Sequence, residues 1–154
     1  MKKGYTLLEV LISISIISII FVIGYAGFRE FARRQALQAA VRNVRGDLRL
    51  AQEQAFAGKK PDGCNTLSGF SFEIVEAAFY EISAVCNNGN YLVKEEELPE
   101  GVIFEPIPST NPVLFKVLGL GTNIAAGGRA DITFLQEATS NTNTIAVNWT
   151  GEIK

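Results

Sequence analysis

Polarity changes abruptly at the start of the chain. Met1, Lys2, Lys3 and Gly4 precede Tyr5, and from Val10 to Phe28 no residue carries a formal charge. A single acid, Glu9, lies just inside the apolar run. The 24 residues Tyr5–Phe28 suffice to cross roughly 30 Å of hydrocarbon as a helix. The positive-inside rule keeps Lys2 and Lys3 on the cytoplasmic side. A secretory signal is cut at small residues after its apolar region. Here the candidate cut lies before that region, at Gly4–Tyr5, so cutting removes the lysines and keeps the helix. An acid at the centre of a lipid-embedded helix costs about 2.5–3.5 kcal/mol and less near an interface, so Glu9 implies a partner and a purpose.

The helical period continues beyond the apolar run. Leu37, Val41, Val44, Leu48, Ala51 and Ala55 alternate steps of four and three, which puts them on one stripe. Arg29, Arg33, Arg34, Arg42, Arg45 and Arg49 fall mostly off it. No proline occurs before Pro61, and Gly58 is a fitting C-cap. The pattern predicts one helix from Tyr5 to Ala57, about 80 Å long, weakened locally by Gly24, Gly27 and Gly46.

After Gly58 the period becomes two. Phe70–Ile74, Phe79–Ser83, Tyr91–Val93, Val102–Phe104, Val113–Val117, Ile132–Phe134 and Ile145–Trp149 are short β-rich runs between Asn, Gly and Pro clusters. Thr139–Thr144 reads as a polar hairpin loop, and Trp149 as strand packing rather than part of a used Asn148-Trp149-Thr150 glycosylation sequon. The expected fold class is α+β: a long N-terminal helix packed on an antiparallel β-sheet domain. Four segments follow: a leader at 1–4, a transmembrane helix at 5–28, its amphipathic continuation at 29–58, and a β-rich head at 59–154.

Charge divides along the same lines. Residues 5–60 carry eight bases and four acids, while residues 61–154 carry four bases and 12 acids. A basic stalk therefore bears an acidic head, either for solubility or for packing against charged neighbours. Two cysteines, Cys64 and Cys86, flanked by turn residues in an exported head, suggest a disulfide. Buried thiols are the alternative.

Much chemistry is excluded. The chain has no histidine, so Ser–His and Cys–His catalysis are ruled out, and two cysteines alone cannot complete a zinc site. Gly119-Leu120-Gly121 and Gly127-Gly128 lack the Lys-Ser/Thr of a phosphate loop and read as turns. Glu95, Glu96 and Glu97 are consecutive, so in a strand their side chains diverge. They read as a solvated strand edge, with calcium as the lesser alternative. No cofactor or metal is called for. Phosphate binding needs clustered Lys and Arg, and the tail Asn148–Lys154 has one acid and one base, with Arg129 standing alone. Nucleic acid is not an expected partner.

Lys3-Gly4-Tyr5-Thr6-Leu7-Leu8-Glu9 resembles the type III signal of type IV pilins and type II secretion pseudopilins. The resemblance implies a prepilin peptidase that cuts after Gly4 and N-methylates Tyr5, a position where the family more often has Phe. It implies that Glu9 pairs with the free terminus of a neighbouring subunit and sets the axial register. Implied partners are other pilin or pseudopilin subunits, the peptidase, the inner-membrane assembly platform, and the membrane before assembly. The implied location is a single pass of the cytoplasmic membrane, then a filament at the cell surface or in the periplasm. Across nearly the whole chain, Arg49–Ala55, Leu98–Val102, Phe115, Gly119, Ile132–Phe134, Ile145–Asn148 and Gly151–Ile153 follow an order similar to the GspH/FimT group of minor pilins and pseudopilins. This implies a minor pilin or H-type pseudopilin at or near a filament tip. The rivals are a major or DNA-uptake pilin, and an anchored binding domain that never polymerises. An enzyme has no supporting constellation.

Overall fold

The computed structural model describes residues 6–154, and of residues 22–24 and 26 the backbone only. Helix α1 runs without a break from Leu7 to Ala57, 51 residues, through Gly24, Gly27 and Gly46. Thr6 caps its start, its hydroxyl accepting from the Glu9 amide at 3.2 Å. Gly58, at φ 60°, closes it in the left-handed conformation and donates to Ala55 O, as a C-terminal glycine is suited to do.

Seven strands follow: β1 (Leu67–Ile74), β2 (Phe79–Cys86), β3 (Gly89–Glu97), β4 (Val102–Phe104), β5 (Val113–Lys116), β6 (Arg129–Gln136) and β7 (Asn141–Asn148). Each run read from the sequence falls on one of them, except for the last residues of two runs, Val117 and Trp149. They form two antiparallel sheets, ordered β3-β2-β1-β5 and β4-β6-β7. The alternation along single strands contains no information about that division. It is fixed by contacts between distant segments: Leu98 donates to Ala78 O and Phe104 to Ala77 O, so β4 hangs from the β1–β2 turn and starts the second sheet.

All six stripe residues of α1 are buried. They close a core shared with both sheets. A chain of rings crosses it: Phe72 to Tyr80 at 5.1 Å, Tyr80 to Phe104 at 5.9 Å, and Phe104 to Phe134 at 5.2 Å between centroids. Tyr80 thereby joins the first sheet to the second.

Three details depart from the sequence reading. The hairpin before β7 is a turn of residues 137–140, and Asn141–Thr144 belong to the strand, paired from Gln136↔Asn141 onward. Gln136 Oε1 accepts from Ala138 N and Thr139 N and so tightens the turn. Val117 leaves β5 for a 3₁₀ turn, Val117–Gly119. Trp149 is not strand packing. It lies beyond β7 and is 45% exposed, because the Asn148 side chain accepts from Thr150 N and Glu152 N and turns the chain back. Ile153 then bridges to Val147.

Cys64 and Cys86 form a disulfide with Cα atoms 5.7 Å apart. It ties the loop after α1 to the end of β2. A loop of this size constrains the unfolded chain by roughly 3 kcal/mol. Replacing both cysteines by alanine is expected to lower the melting temperature of the full chain in detergent by about 10 °C. An unchanged melt would show that the surrounding asparagine bonds, such as Asn88 Nδ2 to Gly63 O at 2.8 Å, hold the loop alone.

Candidate assembly site

The first half of α1 makes the site. Every described apolar side chain from Leu7 to Phe21 is exposed, on all sides of the helix. A helix apolar all round is built for burial in lipid or in a protein core. Its polar groups are turned inward upon itself. Ser13, Ser15 and Ser18 each donate to the carbonyl four residues back, at 2.8 Å. Such bonds satisfy hydroxyls without water. Glu9 is the acid left in this segment. It stands exposed in the first turn, where the positive end of the helix dipole favours a carboxylate. Thr6 and Glu9 have the spacing of a capping box, a local role that the sequence reading of Glu9 passed over.

Gly4 and Tyr5, the expected cleavage and methylation positions, lie outside the described residues, as do Lys2 and Lys3. Among the described residues no helix is long and apolar enough to cross a membrane. Side chains are described without interruption from Leu7 to Phe21, about 22 Å of helix, and again at Tyr25 and Phe28, both exposed, where the uncharged run of the sequence ends. Beyond it come polar rungs: Arg29 stacks over Tyr25 at 5.9 Å, and Arg34 pairs with Glu30.

The second half of α1 is fixed to the head by two polar contacts beside its apolar stripe. Gln52 Nε2 donates to Gly151 O at 2.8 Å and holds the returning C-terminal tail. Asp47, buried, accepts from the Tyr80 hydroxyl at 2.7 Å and from Lys94 Nζ at 2.8 and 2.9 Å. Lys94 also meets Glu96 at 3.3 Å. Helix, β2 and β3 are thus clamped together. Sequence reading missed this site because Asp47 lies off the apolar stripe. Its signal was an acid among arginines on a half-buried helix.

Burial, then the hydrogen bond and charge of Asp47 and the charge of Glu96, push Tyr80 well above its ordinary 10.0. Burial pulls Lys94 down, but its bonds to Asp47 and Glu96 and their charges outweigh this and hold it above 10.5. Both groups keep their protons more tightly when folded than when unfolded. Their stabilisation is therefore whole below about pH 10 and is lost as pH rises through the folded values. The melting temperature is expected to hold steady between about pH 7 and 9 and to fall above about pH 10, with a shallower fall in Tyr80→Phe. An equal slope in that variant would sink the assignment.

The remaining sequence candidates do not converge on chemistry. Glu95, Glu96 and Glu97 lie on β3, an edge strand. Among the described residues no group of three metal-binding side chains comes together. Arg129 pairs with Asp131 at 3.1 Å, and Lys154 with Glu152 at 3.3 Å.

Residues 1–25 match the family described as the prokaryotic N-terminal methylation motif. No curated protein and no solved structure matches this chain. The motif supports a type IV pilin-like chain that is processed by prepilin peptidase, anchored in the membrane before assembly, and assembled with other pilin subunits. The described fold, a long helix packed on an antiparallel β domain, is pilin-like.

Proposed function

We propose that this chain is a structural subunit of a type IV pilus or type II secretion filament, stored in the membrane as a single pass and assembled through the first half of α1. The observation that carries the reading is an exposed apolar helix with one acid, Glu9, within the segment that matches the methylation motif. In this reading Gly4 directs cleavage, Tyr5 becomes the methylated terminus, and Glu9 pairs with that terminus on a neighbour. The chain is a filament part and not an enzyme. Within the class, the order of landmarks from Arg49 to Ile153 favours a minor pilin or H-type pseudopilin, working with the inner-membrane assembly platform. The acidic head, −8 over residues 61–154 by four bases less 12 acids, speaks against a DNA-uptake role.

Filaments sheared from cells, with intact-mass measurement, test the reading. A species beginning at methylated Tyr5 is expected. Its presence in the sheared fraction indicates a surface pilus, and its retention in the membrane indicates a secretion pseudopilin. An uncut Met1–Gly4 leader would overturn the proposal and leave an anchored domain that never polymerises.

A further inference from the structure

Sheet β3-β2-β1-β5 has one face on the core, through Phe70, Phe72, Ile74, Tyr80 and Ile82. Alternation sends Glu73, Glu81 and Glu95 to the other face. The register aligns them: Glu73 opposite Glu81, and Glu81 opposite Glu95. Like charges directly opposite each other destabilise a sheet. None of the three has a salt bridge among the described residues, and the cation nearest in sequence, Lys94, is drawn to Asp47 on the core face. A three-strand row of glutamates is thus kept at a cost, with no cation among the described residues paired to it.

The same chain carries a complement. Arg42, Arg45 and Arg49 have no acidic partner among the described residues. At 100° per residue they lie within an arc of about 60° on α1, and the first and last are about 10.5 Å apart along the axis. Two strand spacings separate Glu73 from Glu95, about 9.5 Å. Number, sign and spacing agree, and arginine is the side chain that meets a carboxylate in a two-bond fork.

We infer that the glutamate row of one subunit receives the arginine stripe of a second copy of this chain, whose α1 lies across β1, β2 and β3. The inference rests on the filament reading and narrows it. The pairing requires copies to be adjacent, so it fits runs of this subunit and excludes a solitary copy at a tip.

Complementary charge reversal tests it. Two differently tagged full-length copies are co-expressed, solubilised at low salt, and recovered through one tag. E73K/E81K/E95K in both copies, or R42E/R45E/R49E in both, is expected to lower recovery of the second tag on the order of ten-fold. One copy of each kind restores it, since the unaltered arginine stripe of one then meets the unaltered glutamate row of the other. Salt should weaken the wild-type pair. Melting curves of each variant confirm folding, and a photo-crosslinker at position 81 of the otherwise unaltered chain is expected to label the peptide containing Arg42–Arg49. Unchanged recovery in either reversed pair, no rescue in the mixed pair, or labelling of another protein overturns the inference. The terminus is read in the same samples. Methylated Tyr5 without charge-dependent pairing removes this contact and leaves the filament reading standing. An uncut leader with pairing intact removes the filament reading and leaves the contact.

Discussion

Glu9→Ala is expected to leave the chain in the membrane and to remove it from filaments. The substitution deletes the acid of a segment whose other polar groups are already satisfied within the helix. Insertion should become easier, by up to about 2–3 kcal/mol if the carboxylate sits deep in lipid. The helix itself should survive. Thr6 caps through the backbone amide of residue 9, which alanine retains, and alanine is the best helix former. Assembly is a different matter. A neighbour's charged terminus left without its partner inside an apolar filament core costs about 3 kcal/mol or more, so incorporation should fall on the order of 100-fold. Glu9→Gln separates charge from shape: it keeps the length and the cap, and should fail nearly as badly. Membrane fractionation and quantitative mass spectrometry of sheared filaments measure both halves of the prediction. Normal incorporation of the alanine variant would reduce Glu9 to an acid in the first turn of the helix, and would favour the plain anchored domain.

The long helix was legible because its signals are local. A four-three stripe from Leu37 to Ala55, the absence of proline and the glycine at position 58 all lie within the segment they define, and the stripe is buried as its period required. Strand positions were legible for the same reason. What escaped depends on partners far along the chain. The division into two sheets is set by β5 pairing with β1 across some 40 residues and by the bonds from Leu98 and Phe104 to the β1–β2 turn. Trp149 looked like the end of a strand because its neighbours Ile145 and Val147 are, yet the side chain of Asn148 ends the strand before it. The run Thr139–Thr144 looked like a loop because it is polar. Its second half is a solvent-side strand, where Thr144 meets Thr133 at 3.1 Å. The assembly end was legible as a motif, whereas its cleavage and methylation positions, Gly4 and Tyr5, lie outside the described residues.

Asp47→Ala is expected to be among the most damaging single changes outside the apolar core. The carboxylate receives a hydroxyl from β2 and an ammonium from β3, and its removal strands both. An unpaired buried hydroxyl costs about 1–3 kcal/mol. Lys94 is about one-third exposed and keeps Glu96, so its share is smaller than for a fully buried pair. The sum is about 2–3 kcal/mol, or about 10 °C in melting temperature. Two further variants isolate the mechanism. Tyr80→Phe removes only the hydroxyl and should cost about 1 kcal/mol. Lys94→Met leaves Asp47 with a single donor and should cost about as much. Because Tyr80 and Lys94 share one carboxylate, Asp47→Ala combined with Lys94→Met should cost less than the two singles added, by about 1 kcal/mol. Full additivity would show that Lys94 and Asp47 do not cooperate and that β3 is not clamped to the helix through this pair. The effect should also be local. Asp47 lies on the half of α1 that carries the head, so hydrogen exchange should quicken in β3 and at the helix face beneath it before it does in β6 and β7. Such a pattern would place the weak seam of the subunit at the first sheet's edge, where the helix that enters the filament is joined to the head that it displays.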